Sequence, residues 1–561
     1  MIRICLILFS LPFIFSYGCR SESTPEPQQL ETKIERSTKI SFEEKTAPST
    51  IEFIPRNGQE SGNYSILESL GTGVGICDYD LDGKFDILAP GGGQFDEAGT
   101  PIGLETGLFR QIGDWKFAGA ADVAGLTNES FYSHGVVIGD WNSDGFSDCL
   151  ITGYHGLVAY ENCGDGTFEE VTDSLGILPQ VWSTSGAFGD FDNDGFLDLY
   201  LVNYVDWRPE LNSECIVRGH RDVCPPGQYT ATTDQIWWNQ QDGTFIESTL
   251  DHGVLEGGKG LAVLSGDIDL DGDADIYVAN DTTPNRLYFN NGAGVFEEQG
   301  LISGTSLGMN AEAEGSMGVE LADFNQDLIP DLWVSNYENQ SFALYQGQAP
   351  GIFQHVSDVT GITAVGKVYV GFGTAALDAD LDGDEDIFAT NGHVMYHARN
   401  TEIHQPPLIF ENRTGRFTNV AAQAGDYASS PHMGRGLSIG DFNQDGKPDV
   451  VISHTNENIS VLQNASITAG HGITVQLIGR DSNRDAIGSV VIARAINQPD
   501  IAPQMRFVRG GGSYLSTHAP RLYFGFPVVI KEINLEIRWP SGKVESIHVG
   551  QSELVRYIEK H

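Results

Sequence analysis

Short apolar runs recur along most of the chain, each interrupted by a cluster of Asp and Gly. Before the clusters stand runs such as Gly135-Val-Val-Ile-Gly139 and Gly436-Leu-Ser-Ile-Gly440. After them come Leu199-Tyr-Leu-Val-Asn203, Ile276-Tyr-Val-Ala-Asn280 and Leu332-Trp-Val-Ser-Asn336. These runs are too short for helices and rich in β-branched and aromatic residues, so they predict strands. A third strand such as Arg286-Leu-Tyr-Phe289 precedes an Asn/Gly turn. A fourth opens on Phe117, Phe168, Phe245, Phe296, Phe353 or Phe417 in six units. The seventh lacks it, and Ile40-Ser-Phe-Glu-Glu-Lys-Thr46, which matches Phe168-Glu-Glu-Val-Thr172, is expected to supply that outer strand beside Ile459–Leu462. Four strands in roughly 50–60 residues, repeated seven times, predict an all-β fold, a seven-bladed β-propeller.

The polar clusters share one pattern, Asp-x-[Asp/Asn]-x-Asp-Gly-x-x-Asp. It begins with Asp78, Asp80, Asp82 and Asp86, and returns as Asp140, Asn142, Asp144 and Asp148. Further copies are Asp190, Asp192, Asp194, Asp198 and Asp267, Asp269, Asp271, Asp275. The last three are Asp323, Asn325, Asp327, Asp331, then Asp378, Asp380, Asp382, Asp386, then Asp441, Asn443, Asp445, Asp449. Calcium takes six to eight hard oxygen ligands at about 2.3–2.6 Å, which a short acidic loop can wrap around one ion. Side chains at positions 1, 3 and 5, a carbonyl at 7 and the Asp at 9 are the expected ligands, giving up to seven calcium sites. Gly at position 6 allows the sharp turn, and Leu328 replaces it in the fifth loop. An EF-hand would need Glu at position 12 and flanking helices. Position 12 is instead Ala89, Ile151, Leu201, Val278, Val334, Ala389 or Ile452, all strand residues.

Composition adds a constraint. Asp and Glu total 77 against 32 Lys and Arg, a formal charge of −45. Nucleic-acid binding needs a basic footprint, so that class is excluded. The balance suits a protein that gathers divalent cations.

The amino terminus reads as a leader. An apolar run from Ile4 to Phe15 follows Arg3 and is too short to span a bilayer. Ser16-Tyr17-Gly18-Cys19 resembles a bacterial lipobox, with Ser16 in place of the usual Leu. The expected layout is a signal peptide over 1–18 and a lipid-anchored, solvated tether over 19–39. A propeller follows over 40–464, and a small β-rich domain over 466–560. The protein is then extracytoplasmic, a membrane-anchored lipoprotein held only through Cys19, or secreted if Cys19 is not lipidated. Two disulfides, Cys215–Cys224 and Cys149–Cys163, the latter pair set symmetrically about Gly156 in an expected hairpin, fit an oxidising compartment, with free buried thiols as the alternative; Cys77 is expected as a buried thiol.

The loops and flanking strands resemble the FG-GAP (VCBS-type) repeats of integrin α-subunit propellers and cartilage-acidic-protein-like proteins. The segments from Phe168 to Ile177 and from Phe353 to Ile362 look like the inter-repeat segment of the latter group. So does the Cys215–Cys224 insertion before Asp234-Gln-Ile-Trp-Trp-Asn239. Residues from about 466 to 560 resemble the ASPIC/UnbV domain. The motifs are Ser482-Asn-Arg-Asp-Ala-Ile-Gly488, Gly510-Gly-Gly-Ser-Tyr-Leu-Ser516, Leu522-Tyr-Phe-Gly525 and Arg538-Trp-Pro-Ser-Gly542. That resemblance implies architecture more than activity.

Other chemistry is weaker. His393 and His397, with His404 nearby, could ligate a metal from one helix face, but an ordinary loop without acidic partners is the favoured reading. Trp207, Trp237, Trp238 and Tyr204 could form a sugar platform, though blade packing accounts for them better. Arg484 and Asp485 could be read as a catalytic pair, but a structural ion pair within a turn is the favoured reading. No nucleophile–base pattern, nucleotide loop or zinc-protease motif appears. The expectation is a non-catalytic binding or adhesion module for a protein or glycan ligand. The alternative is a polysaccharide-active enzyme on a propeller scaffold.

Overall fold

The computed structural model describes residues 39–126, 130–178, 181–468, 470–550 and 554–561. The expected leader, Cys19 and nearly all of the tether lie outside these residues. Seven antiparallel sheets carry four blade strands each. In every blade the acidic loop joins the first strand to the second, as in Ser133–Gly139 and Asp148–Gly153 of blade two. The first strands lie side by side: each touches the first strand of the neighbouring blades, and that of blade seven touches that of blade one. The molecule is thus a closed propeller around a channel.

Glycine sets the width of that channel. A β-carbon on Gly135 would stand 2.3 Å from the Thr184 carbonyl oxygen of blade three. One on Gly318 would stand 2.1 Å from the Phe372 oxygen of blade six. Only glycine lets the inner strands approach this closely.

Blade seven is completed from the amino terminus. Phe42–Glu44 pairs antiparallel with Ser460–Asn464, matching Phe42 to Asn464 and Glu44 to Leu462. Lys39 also bridges to Ile467, extending the pairing beyond both strands. This velcro supplies the outer strand that blade seven lacks in its own sequence. Phe42 is buried and meets the Phe388 ring edge-on at 5.3 Å.

Beyond Asn464, strands at Gly470–Ile478, Leu522–Pro527 and Leu554–Ile558 make one sheet. Val490–Ala495, Gln504–Phe507, Glu532–Arg538 and Val544–Gly550 make another. Ile473, Phe524, Val491, Leu535 and Ile537 form the shared core. From this domain the segment around 510–519 enters the channel. Gly510 and Gly511 pair with Ser265 and Leu264 of blade four. The Val136 amide of blade two donates to the Leu515 oxygen at 3.0 Å, and Ser513 donates to the Leu437 oxygen of blade seven at 2.8 Å. The Gly510–Ser516 motif is therefore a plug whose small residues fit between crowded inner strands. Buried polar contacts reinforce it: Arg509 pairs with Glu320 of blade five, His518 Nε2 lies at hydrogen-bond distance, 2.8 Å, from the same carboxylate, and Arg506 pairs with Glu385 of blade six at 3.2 Å.

Cys215 and Cys224 form a disulfide. The expected Cys149–Cys163 bridge is absent; both are free, Cys149 buried and Cys163 exposed. The hairpin pairs Gly153 with Gly156, so Cys149 faces Tyr160 and Cys163 falls three residues past it. The symmetry read about Gly156 was offset. Cys77 is a buried thiol.

Candidate metal centres

Each acidic loop is organised by its first and last Asp. In loop two, Asp140 accepts the amides of Asp144 at 3.0 Å and Gly145 at 2.8 Å. Asp148 accepts the Trp141 amide at 3.3 Å and, from the third strand, the Asn162 amide at 2.8 Å. The same pattern holds for Asp190 and Asp198, Asp323 and Asp331, and Asp441 and Asp449. The last Asp thus locks the loop to its blade. Sequence reasoning gave it only a ligand's role.

Four loops bring three carboxylates within 4.8 Å of one another: Asp78, Asp80 and Asp86; Asp190, Asp192 and Asp194; Asp267, Asp269 and Asp271; Asp378, Asp380 and Asp382. The position-9 Asp joins such a group only in loop one. The loops with Asn142, Asn325 and Asn443 offer an amide oxygen in place of one carboxylate.

Crowding and burial make these groups resist ionisation. Burial pushes Asp140, Asp190, Asp267 and Asp323 up to about 7, Asp86 to about 8 and Asp148 to about 9. The buried oxygens Asp78 Oδ1 and Asp267 Oδ1 have no hydrogen-bond partner among the described residues. Clustered, dehydrated carboxylates with orphaned oxygens fit a hard divalent cation, which supplies both charge and coordination. In loop one Arg110 sits 2.5 Å from Asp80 and Lys84 2.7 Å from Asp82, partly neutralising it.

Position 6 takes a left-handed backbone, with φ of +88° at Gly83 and +97° at Gly145. Leu328 is held there too, at +63°, with its β-carbon strained.

The loops are also coupled to each other and to the carboxy-terminal domain. Asn162, Asn290, Asn412 and Asn464 end third strands and donate to the carbonyls of Tyr79, Phe191, Phe324 and Ala379 in the preceding blade's loop. Gln111 reaches Phe442 in the same way. The signal was present as the recurrent Asn before each turn. Arg484 and Asp485 do not pair as a turn: Asp485 accepts the Asp140 amide at 2.8 Å and Arg484 lies 3.6 Å from Asp140. Both clamp loop two. Gln326 donates to Gly383 of the neighbouring loop at 3.0 Å.

The remaining expectations resolve by topology. His393 and His397 lie in a loop, and acidic partners come from other blades. His393 Nε2 is 3.7 Å from Glu338, His397 Nδ1 3.4 Å from Asp222 and His404 Nε2 3.5 Å from Glu457, so the three diverge. Trp207, Trp237, Trp238 and Tyr204 are buried in three different core clusters, so the four form no common platform.

A family model described as FG-GAP-like repeat matches residues 140–201, 219–278, 267–334 and 378–452. A second, described as ASPIC and UnbV, matches 479–553. Cartilage acidic protein 1 of Homo sapiens is 22% identical over 87% of this chain and 72% of its own length. That of Xenopus tropicalis is 23% identical over 86% and 72%. Among solved structures, an Agrocybe aegerita lectin that recognises non-reducing terminal N-acetylglucosamine aligns at 17% identity and TM-score 0.41, over 72% of this chain and 90% of that one. The BP39L lectin of Burkholderia pseudomallei aligns at 9% identity and TM-score 0.39, over 70% and 94%.

Proposed function

Because the chain belongs to the FG-GAP-like repeat proteins that end in an ASPIC and UnbV domain, we propose that it is an extracytoplasmic, calcium-stabilised binding module. The observation that carries this reading is the sevenfold recurrence of one carboxylate loop, with orphaned oxygens in loops one and four. Calcium would be held by the Asp or Asn side chains at positions 1, 3 and 5, joined in loop one by Asp86. It supplies positive charge to carboxylates that burial otherwise keeps from ionising. The chain's own part is to preorganise each loop through its first and last Asp and to tie successive loops together through Asn. The Cys215–Cys224 disulfide supports an oxidising compartment.

The ligand is a protein or a glycan held on a rigid, metal-braced ring. A titration of the soluble chain with calcium, followed by a glycan array and a pull-down in calcium and in chelator, tests this. The reading expects saturable calcium uptake and ligand capture that disappears in chelator. Turnover of a polysaccharide would instead establish the enzyme.

A further inference from the structure

At the channel end remote from the metal loops, a cavity of about 180 Å³ opens between the blades. Leu261, Met317 and Phe372 stand second in their inner strands, whereas the metal loops begin where those seven-residue strands end. At about 3.3 Å per residue the two regions lie roughly 20 Å apart. Tyr514, at the tip of the plug, lines the cavity and donates to the Leu70 oxygen at 3.2 Å. The disulfide loop contributes Cys224, Pro225 and Pro226, and the loop after blade six's second strand contributes Met395. Exposed Thr282 at the rim leaves the space reachable from solvent.

Tyr204, Tyr337, Phe372 and Tyr514 present four aromatic rings, and Met317 and Met395 add polarisable thioethers. Against this apolar lining stands one carboxylate, Asp281. Its Oδ2 accepts the Tyr204 hydroxyl at 2.5 Å, while Oδ1 accepts no hydrogen bond among the described residues. No basic side chain among them forms an ion pair with it; Lys259 donates its ammonium to the Pro226 oxygen at 2.7 Å and reaches Asp281 only as a more distant favourable charge. Arg435, over the Phe372 ring at 4.0 Å, is fully buried and does not line the cavity. A half-buried carboxylate with a spare oxygen among aromatic faces is the arrangement that favours a cation with an apolar skirt.

We propose that this cavity binds a small organic ammonium ion, a methylated or primary amine of about five to nine non-hydrogen atoms, paired with Asp281 Oδ1 and packed against the Tyr204, Tyr337 and Tyr514 rings. The size follows from the volume, since a cavity of about 150 Å³ holds a benzene-sized guest.

The test is calorimetric titration of the full chain with choline and, separately, with 3,3-dimethylbutan-1-ol, its uncharged isostere. Choline should bind saturably and at least about tenfold more tightly than the alcohol, because only the cation gains from the carboxylate and the rings. Asp281→Asn should remove that tenfold preference while leaving the alcohol's weak binding unchanged. Equal affinities for the two probes, absence of saturable choline binding, or an Asp281→Asn variant that keeps the preference would each overturn the assignment. The comparison of probes needs only the unmodified protein, so a variant that fails to fold leaves the test intact.

Discussion

The side-chain amide of Asn239 donates to the Trp141 carbonyl oxygen at 2.9 Å, joining the third strand of blade three to the metal loop of blade two. The same amide reaches the Leu197 oxygen at 3.2 Å, and the Asn239 backbone N–H donates to Asp198 Oδ1 at 2.8 Å. One residue thereby serves two adjacent loops. Asn239→Ala leaves the Trp141 and Leu197 carbonyls without their buried donor, at a cost of about 1–3 kcal/mol. Urea unfolding in calcium should register that loss. A variant as stable as the parent would assign the loops no such coupling.

Leu328 is the one non-glycine residue at position 6, and its φ of +63° carries the strain of a left-handed β-carbon. Leu328→Gly relieves roughly 1 kcal/mol there, less whatever entropy glycine adds to the unfolded chain. The fifth loop should gain calcium affinity, read by titration of the variant against the parent. Unchanged or weaker binding would mean that the turn sets no limit on the site.

Ring closure gives a third prediction. Phe42 is buried and pairs at Asn464, so Phe42→Ala should destabilise the propeller by about 3–5 kcal/mol. Deleting residues 40–46 should lower Tm further by exposing the edge of blade seven. A melt indifferent to both changes would remove the closure from the account.

Acid should weaken the fold through His134. Its ring is wholly buried, Nδ1 contacts the Gly71 oxygen at 2.8 Å, and burial lowers its pKa to about 4. The depressed value means that the folded state favours the neutral ring. The stabilisation is full above about 6.5 and is lost as pH falls from 6.5 towards 4, because the unfolded chain takes the proton first. Two and a half pH units correspond to about 3 kcal/mol at most. Melts in saturating calcium from pH 7 to 4.5 should fall less steeply for His134→Gln than for the parent.

What the sequence revealed was local. The strand–loop–strand units, their count and the vacant edge of blade seven all follow from short-range alternation and a nine-residue motif. What it concealed depends on partners distant in the chain. Cys149 and Cys163 were paired by symmetry, yet the register is set by a turn centred between Tyr154 and His155. The acidic neighbours of His393 and His397 come from blades whose approach no local spacing encodes. The Gly510–Ser516 motif was legible as a motif, but its place in the channel exists only once seven inner strands close around it.

If calcium braces the ring, the stability of the chain must depend on it. With dissociation constants of about 10⁻⁴–10⁻³ M, each site contributes roughly 0.4–1.4 kcal/mol at millimolar calcium, or about 3–10 kcal/mol over seven. That is comparable to the net stability of a whole domain, about 5–15 kcal/mol. The measurement is the melting temperature of the chain in millimolar calcium and again in excess chelator. Chelation should lower it sharply, and return of calcium should restore it. A melting temperature unchanged by chelator would contradict calcium bracing of the ring.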